Sequence, residues 1–171
     1  MVVHCAECKG FYCRGGVTEA APDDCPMRSG FPSFADLYPE GSVRDFLIKS
    51  SRLESTGYCR WTRLREVVEF ARSMGYSRIG LAHGPDMAEV AKLVSRALGD
   101  SGLDAILPPV PPREQAGFFL AGSADLIVLA GMSVGHEAIL LQSSELPVVA
   151  LVARDTRLAH NPVAALYTSR G

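Results

Sequence analysis

Residues 125–136 read DLIVLAGMSVGH. Five consecutive apolar side chains, Leu126 to Ala130, leave no polar face, so the stretch predicts a strand covered on both sides. It ends at Gly131 in a short loop, ahead of a helix expected from Val134. The same cadence recurs outward from there. RIGLA at 78–82 precedes a helical stretch over about Asp86 to Leu98; DAILP at 104–108 precedes one near Glu114 to Gly122; VVALVA at 148–153 precedes a last helix from Pro162. Short apolar runs alternating with helices predict parallel strands joined by crossovers. The expected fold is α/β, a small doubly wound, Rossmann-like parallel sheet of about four strands.

Upstream, Val43, Phe46, Leu47 and Leu53 repeat at helical spacing from Ser42. Thr62 can cap a second helix whose inner face is Leu64, Val67, Val68, Ala71 and Met74, stopping at Gly75. The first thirty residues show neither period and are punctuated by glycine and proline, as in a loop wrapped around an ion. The expected organisation is a cysteine-rich metal-binding segment at 1–30, a helical hairpin packed on the sheet at 31–75, and the α/β domain at 76–171, together one unit. PPVPP at 108–112 is too short for a linker and falls where a strand turns toward its helix.

With 17 Lys plus Arg against 19 Asp plus Glu, the formal charge of -2 argues against nucleic-acid and anionic-membrane partners. No apolar run approaches the ~20 residues of a membrane span. The opening, MVVHCAEC, lacks the pattern of a secretory signal, so the expected location is the cytoplasm.

Four of the five cysteines, Cys5, Cys8, Cys13 and Cys25, lie within 25 residues in the pattern C-x2-C-x4-C-x11-C, with Pro26 after the last. In a reducing compartment such clustering points to metal ligation rather than disulfides. Two cysteines separated by two residues turn both sulfurs toward one centre, and four thiolates suit either a closed tetrahedral Zn(II) or the corners of a cubane iron-sulfur cluster. A zinc ribbon presents two C-x2-C knuckles; this chain has one. Residues 5–27, CAECKGFYCRGGVTEAAPDDCPM, resemble the single-cluster [4Fe-4S] segment of corrinoid iron-sulfur proteins and of the Rnf electron-transport B subunit, with a shorter last spacer and Ala6 where those carry glycine. The resemblance implies a [4Fe-4S] cluster on the four cysteines and an electron-transfer or redox-sensing role with a redox partner protein. Zinc on the same residues is the alternative, with the strand-end loops then binding a small anionic ligand, as an enzyme or otherwise. His4 ranks below the four sulfurs, being adjacent to Cys5.

In an open parallel sheet ligands bind beyond the carboxyl ends of the strands, where strand order reverses. Three loops there carry polar residues: His83-Gly84-Pro85-Asp86, Gly131 to His136, and Arg154-Asp155 leading to His160-Asn161. The candidate ligand-binding residues are His83, Ser133, Gly135, His136, His160 and Asn161. Gly131 to Gly135 can bring backbone N–H groups to an anion at a helix start, or can be a tight turn capped by Ser133. It matches neither a dinucleotide nor a Walker motif. The three histidines would supply a second metal site or acid-base chemistry if they converged, and otherwise serve as structural hydrogen-bonding groups. Cys59, beside Arg60 and Arg63, reads either as a reactive thiol or as a packed one.

Three segments resemble one family: the cysteine-rich opening, GYCRWTRLREVVEFARSMGY at 57–76, and GMSVGHEA at 131–138 with HNPVAALYTS at 160–169. The family is one of uncharacterised, cysteine-rich, presumed metal-binding proteins of anaerobic bacteria and archaea, a domain of unknown function. The resemblance implies metal binding and no particular reaction. Family members carry further cysteines where this chain has His83-Gly84 and Leu107-Pro108, so it implies no second cysteine site here.

Overall fold

The computed structural model describes residues 8–13, 17–23, 25–28 and 34–168; Cys5 and His4 lie outside the described residues. The chain divides into two units, Met1–Leu47 and Ile48–Gly171. The first contains a 3-10 turn at Thr18–Ala20 and a single helical turn α1 (Phe34–Leu37). Helix α2 (Ser42–Gly57) begins in the first unit and runs into the second.

In the second unit, α3 (Arg63–Met74) leads into a four-stranded sheet of β1 (Arg78–Ala82), β2 (Asp104–Ile106), β3 (Leu126–Ala130) and β4 (Val148–Val152). All pairings are parallel and the order is β2-β1-β3-β4. Crossovers α4 (Ala88–Asp100), α5 (Gln115–Ala121) and α6 (Val134–Ser143) join successive strands, and a short α7 (Ala164–Thr168) follows β4. The expected α/β sheet, apolar on both faces, is what forms.

The side-chain period of a strand divides the core in two. Ile79, Leu81, Leu126 and Val128 point to one face, where they meet Val67, Val68 and Ala71 of α3 and Val94 and Leu98 of α4. Ala82, Ile127 and Leu129 point to the other and meet Ala116 and Phe119 of α5 and Leu140 of α6. β3 is buried along its whole length, whereas β4, at the edge, is only partly covered. Below the sheet, the Asp125 carboxylate accepts from the N–H groups of Ser77 and Arg78 at 2.8 and 2.9 Å and so ties the start of β1 to that of β3.

The helix boundaries follow their local chemistry. Thr62 caps α3, its hydroxyl accepting from the Arg65 N–H at 3.3 Å, and the helix stops at Gly75 as its pattern predicts. α4 and α5 start a little later than expected, because Pro85 and Pro112 open 3-10 turns, Pro85–Met87 and Pro112–Glu114, that precede the α-helical hydrogen-bonding. Pro162 likewise lies in a turn, and α7 begins only at Ala164.

One contact locks α5 to the sheet. Phe119 is fully buried over Gly80, and a Cβ at residue 80 would stand 2.6 Å from Phe119 Cδ1. Gly80→Ala should therefore cost roughly 1–3 kcal/mol of unfolding free energy, since neither a central strand nor a buried ring can yield freely. Chemical denaturation of Gly80→Ala alone and with Phe119→Leu checks this: the substitution should cost markedly less beside leucine, and equal costs in both backgrounds would show that this contact is not the cause.

Candidate functional site

The reversal of strand order falls between β1 and β3, so their carboxyl ends open side by side. The two loops leaving them are joined directly: the Gly84 N–H donates to the Gly131 carbonyl at 2.8 Å. Gly131 has φ 97°, and a Cβ there would meet Met87 Cε at 2.7 Å, so both backbone and packing require glycine. From below, Gln115, 2% exposed, clamps the first loop. Its Oε1 accepts from the His83 N–H at 3.0 Å, and its Nε2 donates to the His83 carbonyl at 2.9 Å and to that of Val110 at 3.4 Å. A side-chain amide thus continues the strand's hydrogen bonding after the strand has ended.

The loop after β4 reaches across the end of β3. Arg154 Nε donates to Asp86 Oδ2, linking that loop to the one after β1. This hydrogen bond, with the charges of Arg154 and His160 in support, holds the Asp86 carboxyl below the usual carboxylate range against the opposing effect of desolvation. His160 has φ 63°, and its Nδ1 accepts from the Asp155 N–H at 3.2 Å, so a neutral ring carries its hydrogen on Nε2. Asp155 Oδ1 accepts from the N–H groups of Arg157 and Leu158 at 3.0 and 2.9 Å, which fixes the turn that presents His160.

The six candidate residues are thereby separated by what their side chains do. Ser133 has the extended backbone of a helix cap, yet its hydroxyl pairs with His136 Nδ1 at 2.8 Å instead of capping α6. The His83 ring turns back on its own loop, Nδ1 lying 2.9 Å from the Gly84 carbonyl. Gly135 is exposed on the first turn of α6. Asn161 is exposed too, and its backbone carbonyl accepts from the Ala164 N–H ahead of α7. Only His160 joins the Asp86–Arg154 pair. Among the described residues, no three His, Cys, Asp or Glu side chains gather tightly enough to hold a metal ion, so the three histidines form no such site. Of the residues that tie the loops together, Gln115 escapes a reading of the sequence, and Asp86 and Arg154 are legible as strand-end loop residues but not as a pair. A glutamine in QAGFFLA carries no mark of burial, and the Asp86–Arg154 pair joins residues 68 apart.

The cysteine segment is organised locally. The Tyr12 carbonyl accepts from the Val17 N–H at 3.0 Å, Pro22 from Cys25 at 2.9 Å, and Cys25 from Arg28 at 2.9 Å. Cys8, Cys13 and Cys25 are free thiols lining a common cavity of about 80 Å³, whose other walls include Phe11, Tyr12 and Met27. Three soft donors on an apolar wall suit a thiophilic metal. Around a single Zn(II), with Zn–S near 2.3 Å, the sulfurs would stand roughly 3.8 Å apart, and the described thiols are not closed to that degree. A void of this size also exceeds the roughly 10–15 Å³ that one water-sized centre needs. Cys59 belongs elsewhere: it is exposed, at φ 56°, in the turn between α2 and α3.

Residues 28–107 match a family model described as "Protein of unknown function (DUF1847)", a span from just after Cys25 to the end of β2. An uncharacterized protein of Methanocaldococcus jannaschii is 26% identical over 142 residues, covering 70% of this chain and 74% of the relative. No solved structure matches. The chain is thus similar to proteins of unknown function, and the matched family span leaves out the cysteine segment.

Two measurements test this geometry. Replacing Arg154 by methionine should raise the Asp86 pKa toward the ordinary carboxylate value, as followed by NMR titration. Because the folded value is depressed, the stability that Arg154 adds should be present above the unfolded carboxylate's pKa and disappear as pH falls through the folded value. An unmoved Asp86 titration would exclude the ion pair. Gln115→Leu should cost roughly 1–3 kcal/mol for each His83 backbone group it leaves buried without a partner, and should speed amide exchange at His83.

Proposed function

We propose that Cys5, Cys8, Cys13 and Cys25 hold one [4Fe-4S] cluster, and that the protein transfers electrons to a partner protein or senses redox state. The observation that carries this reading is the shared cavity: Cys8, Cys13 and Cys25 line one small void with Phe11, Tyr12 and Met27 around it. When bound, the cluster would supply one-electron chemistry at a potential set by its surroundings. The chain's part would be to provide thiolates and to limit water, to which Tyr12 and Met27 would contribute as walls of the cavity. Pro22 and Pro26 help by restricting the backbone on either side of Cys25. A reducing compartment such as the cytoplasm would keep these thiols available for iron.

A second reading rests on the strand ends. There Arg154 and His160 stand with Asp86 where an open parallel sheet receives its ligands. With zinc stapling the cysteine segment, these loops would bind a small anionic ligand, and Ser133 with His136 would lie on the first turn of α6 beside it.

Anaerobic purification followed by metal analysis decides between them. The first reading expects brown protein absorbing broadly near ~400 nm, with about four irons per chain. Cys8→Ser should abolish stoichiometric metal, while Cys59→Ser should keep it. Colourless protein with one zinc per chain would replace the first reading with the second, and retention of full metal by Cys8→Ser would overturn the ligand assignment.

A further inference from the structure

We propose that the cleft between α2 and α3 binds an organic cation, an amine carried on an apolar body. The cleft holds about 450 Å³, within the range of roughly 300–1,000 Å³ typical of small-molecule sites. Leu53 and Glu54 of α2 form one wall, Arg63, Glu66 and Phe70 of α3 the other, and Tyr58 stands at the turn that joins them. The sign of the ligand follows from which charges are already engaged. Arg63 donates through Nη1 to Glu66 Oε2 at 3.2 Å and through Nε to the Ala150 carbonyl at 3.3 Å, so its positive charge is offset by the Glu66 carboxylate. Among the described residues the Glu54 carboxylate has neither hydrogen bond nor ion pair. Two carboxylates against one occupied guanidinium leave the cleft net negative. Tyr58 and Phe70 contribute aromatic side chains to the lining, the class of group that attracts ammonium ions.

The apolar body has its own place. A smaller cavity of about 100 Å³ shares Arg63, Glu66 and Phe70 with the cleft and continues to Val67 and Val149 at the partly covered edge strand. An ammonium at Glu54 would thus leave a short hydrocarbon or aromatic tail beside the partly covered Phe70 and Val149. Cys59, exposed on the rim, gives the site a built-in reporter, because a ligand in the cleft shields its thiol from alkylation.

The test uses the full chain with its metal as purified, and a pair of probes alike in shape and opposite in charge: 2-phenylethylamine and 3-phenylpropionate. The amine should saturably slow iodoacetamide alkylation of Cys59, read by peptide-resolved mass spectrometry, and should shift the amide resonances of Glu54 and Glu66. Glu54→Gln, an exposed change that leaves the circular dichroism unaltered, should raise the Kd for the amine roughly tenfold. The carboxylate should do neither. Equal protection by 3-phenylpropionate, an unchanged Kd in Glu54→Gln, or no saturable protection of Cys59 by the amine would each overturn the proposal.

Discussion

Everything in the second unit depends on β3 being apolar on both faces. A strand that buries Leu126 and Val128 one way and Ile127 and Leu129 the other cannot face water on either side, so helices must lie on both. With parallel neighbours, each covering helix is also a crossover, and right-handed crossovers to opposite faces force the chain to leave β1 in one direction and return past it in the other. The order β2-β1-β3-β4 is the outcome. The place where the direction changes, above Gly84 and Gly131, is therefore a consequence of burial and not an independent feature of the loops.

That reasoning explains how much of the architecture is legible in the sequence. Four apolar runs, the crossover helices and the capped α3 with its Gly75 stop all follow from period and punctuation, because burial and capping act on neighbouring residues. Helix starts shift by a few residues at Pro85 and Pro112, where a proline opens a 3-10 turn before the α-helix sets in. The candidate site was legible only as a set of loops. Ser133 and His136 meet locally, three residues apart, but the ties between loops depend on long-range geometry: Asp86 finds Arg154, and the His83 backbone finds the Gln115 side chain, across the fold. Nothing local in HGPDM or QAGFF encodes those pairings.

The cysteine segment is ordered by different physics. Its described residues contribute little to the burial that builds the sheet; of them only Ala21 is fully buried. Short backbone hydrogen bonds around Tyr12, Pro22 and Cys25 bend the chain, but turns of that kind do not offset the conformational entropy of some twenty residues, at roughly 1–2 kcal/mol each. On the proposed reading, ligation would hold this segment, and the free energy of metal binding would become part of its folding free energy.

The charges at the strand ends bear on which of the two regions does the chemistry. Arg154 is the cation best placed to receive an anion there, yet it is bound to Asp86, and that carboxyl is held ionised by the same contact. An anionic ligand drawn to that guanidinium would compete with a carboxylate already bonded to its Nε. The Ser133 hydroxyl is similarly occupied by His136, and the His83 ring by its own loop. The strand-end groups satisfy one another across three loops, which makes them good fasteners and poor unfilled receptors. The cysteine cavity is the opposite case: among the described residues, Cys8, Cys13 and Cys25 line a void as free thiols, so an inorganic centre there would gain them as ligands without breaking a disulfide.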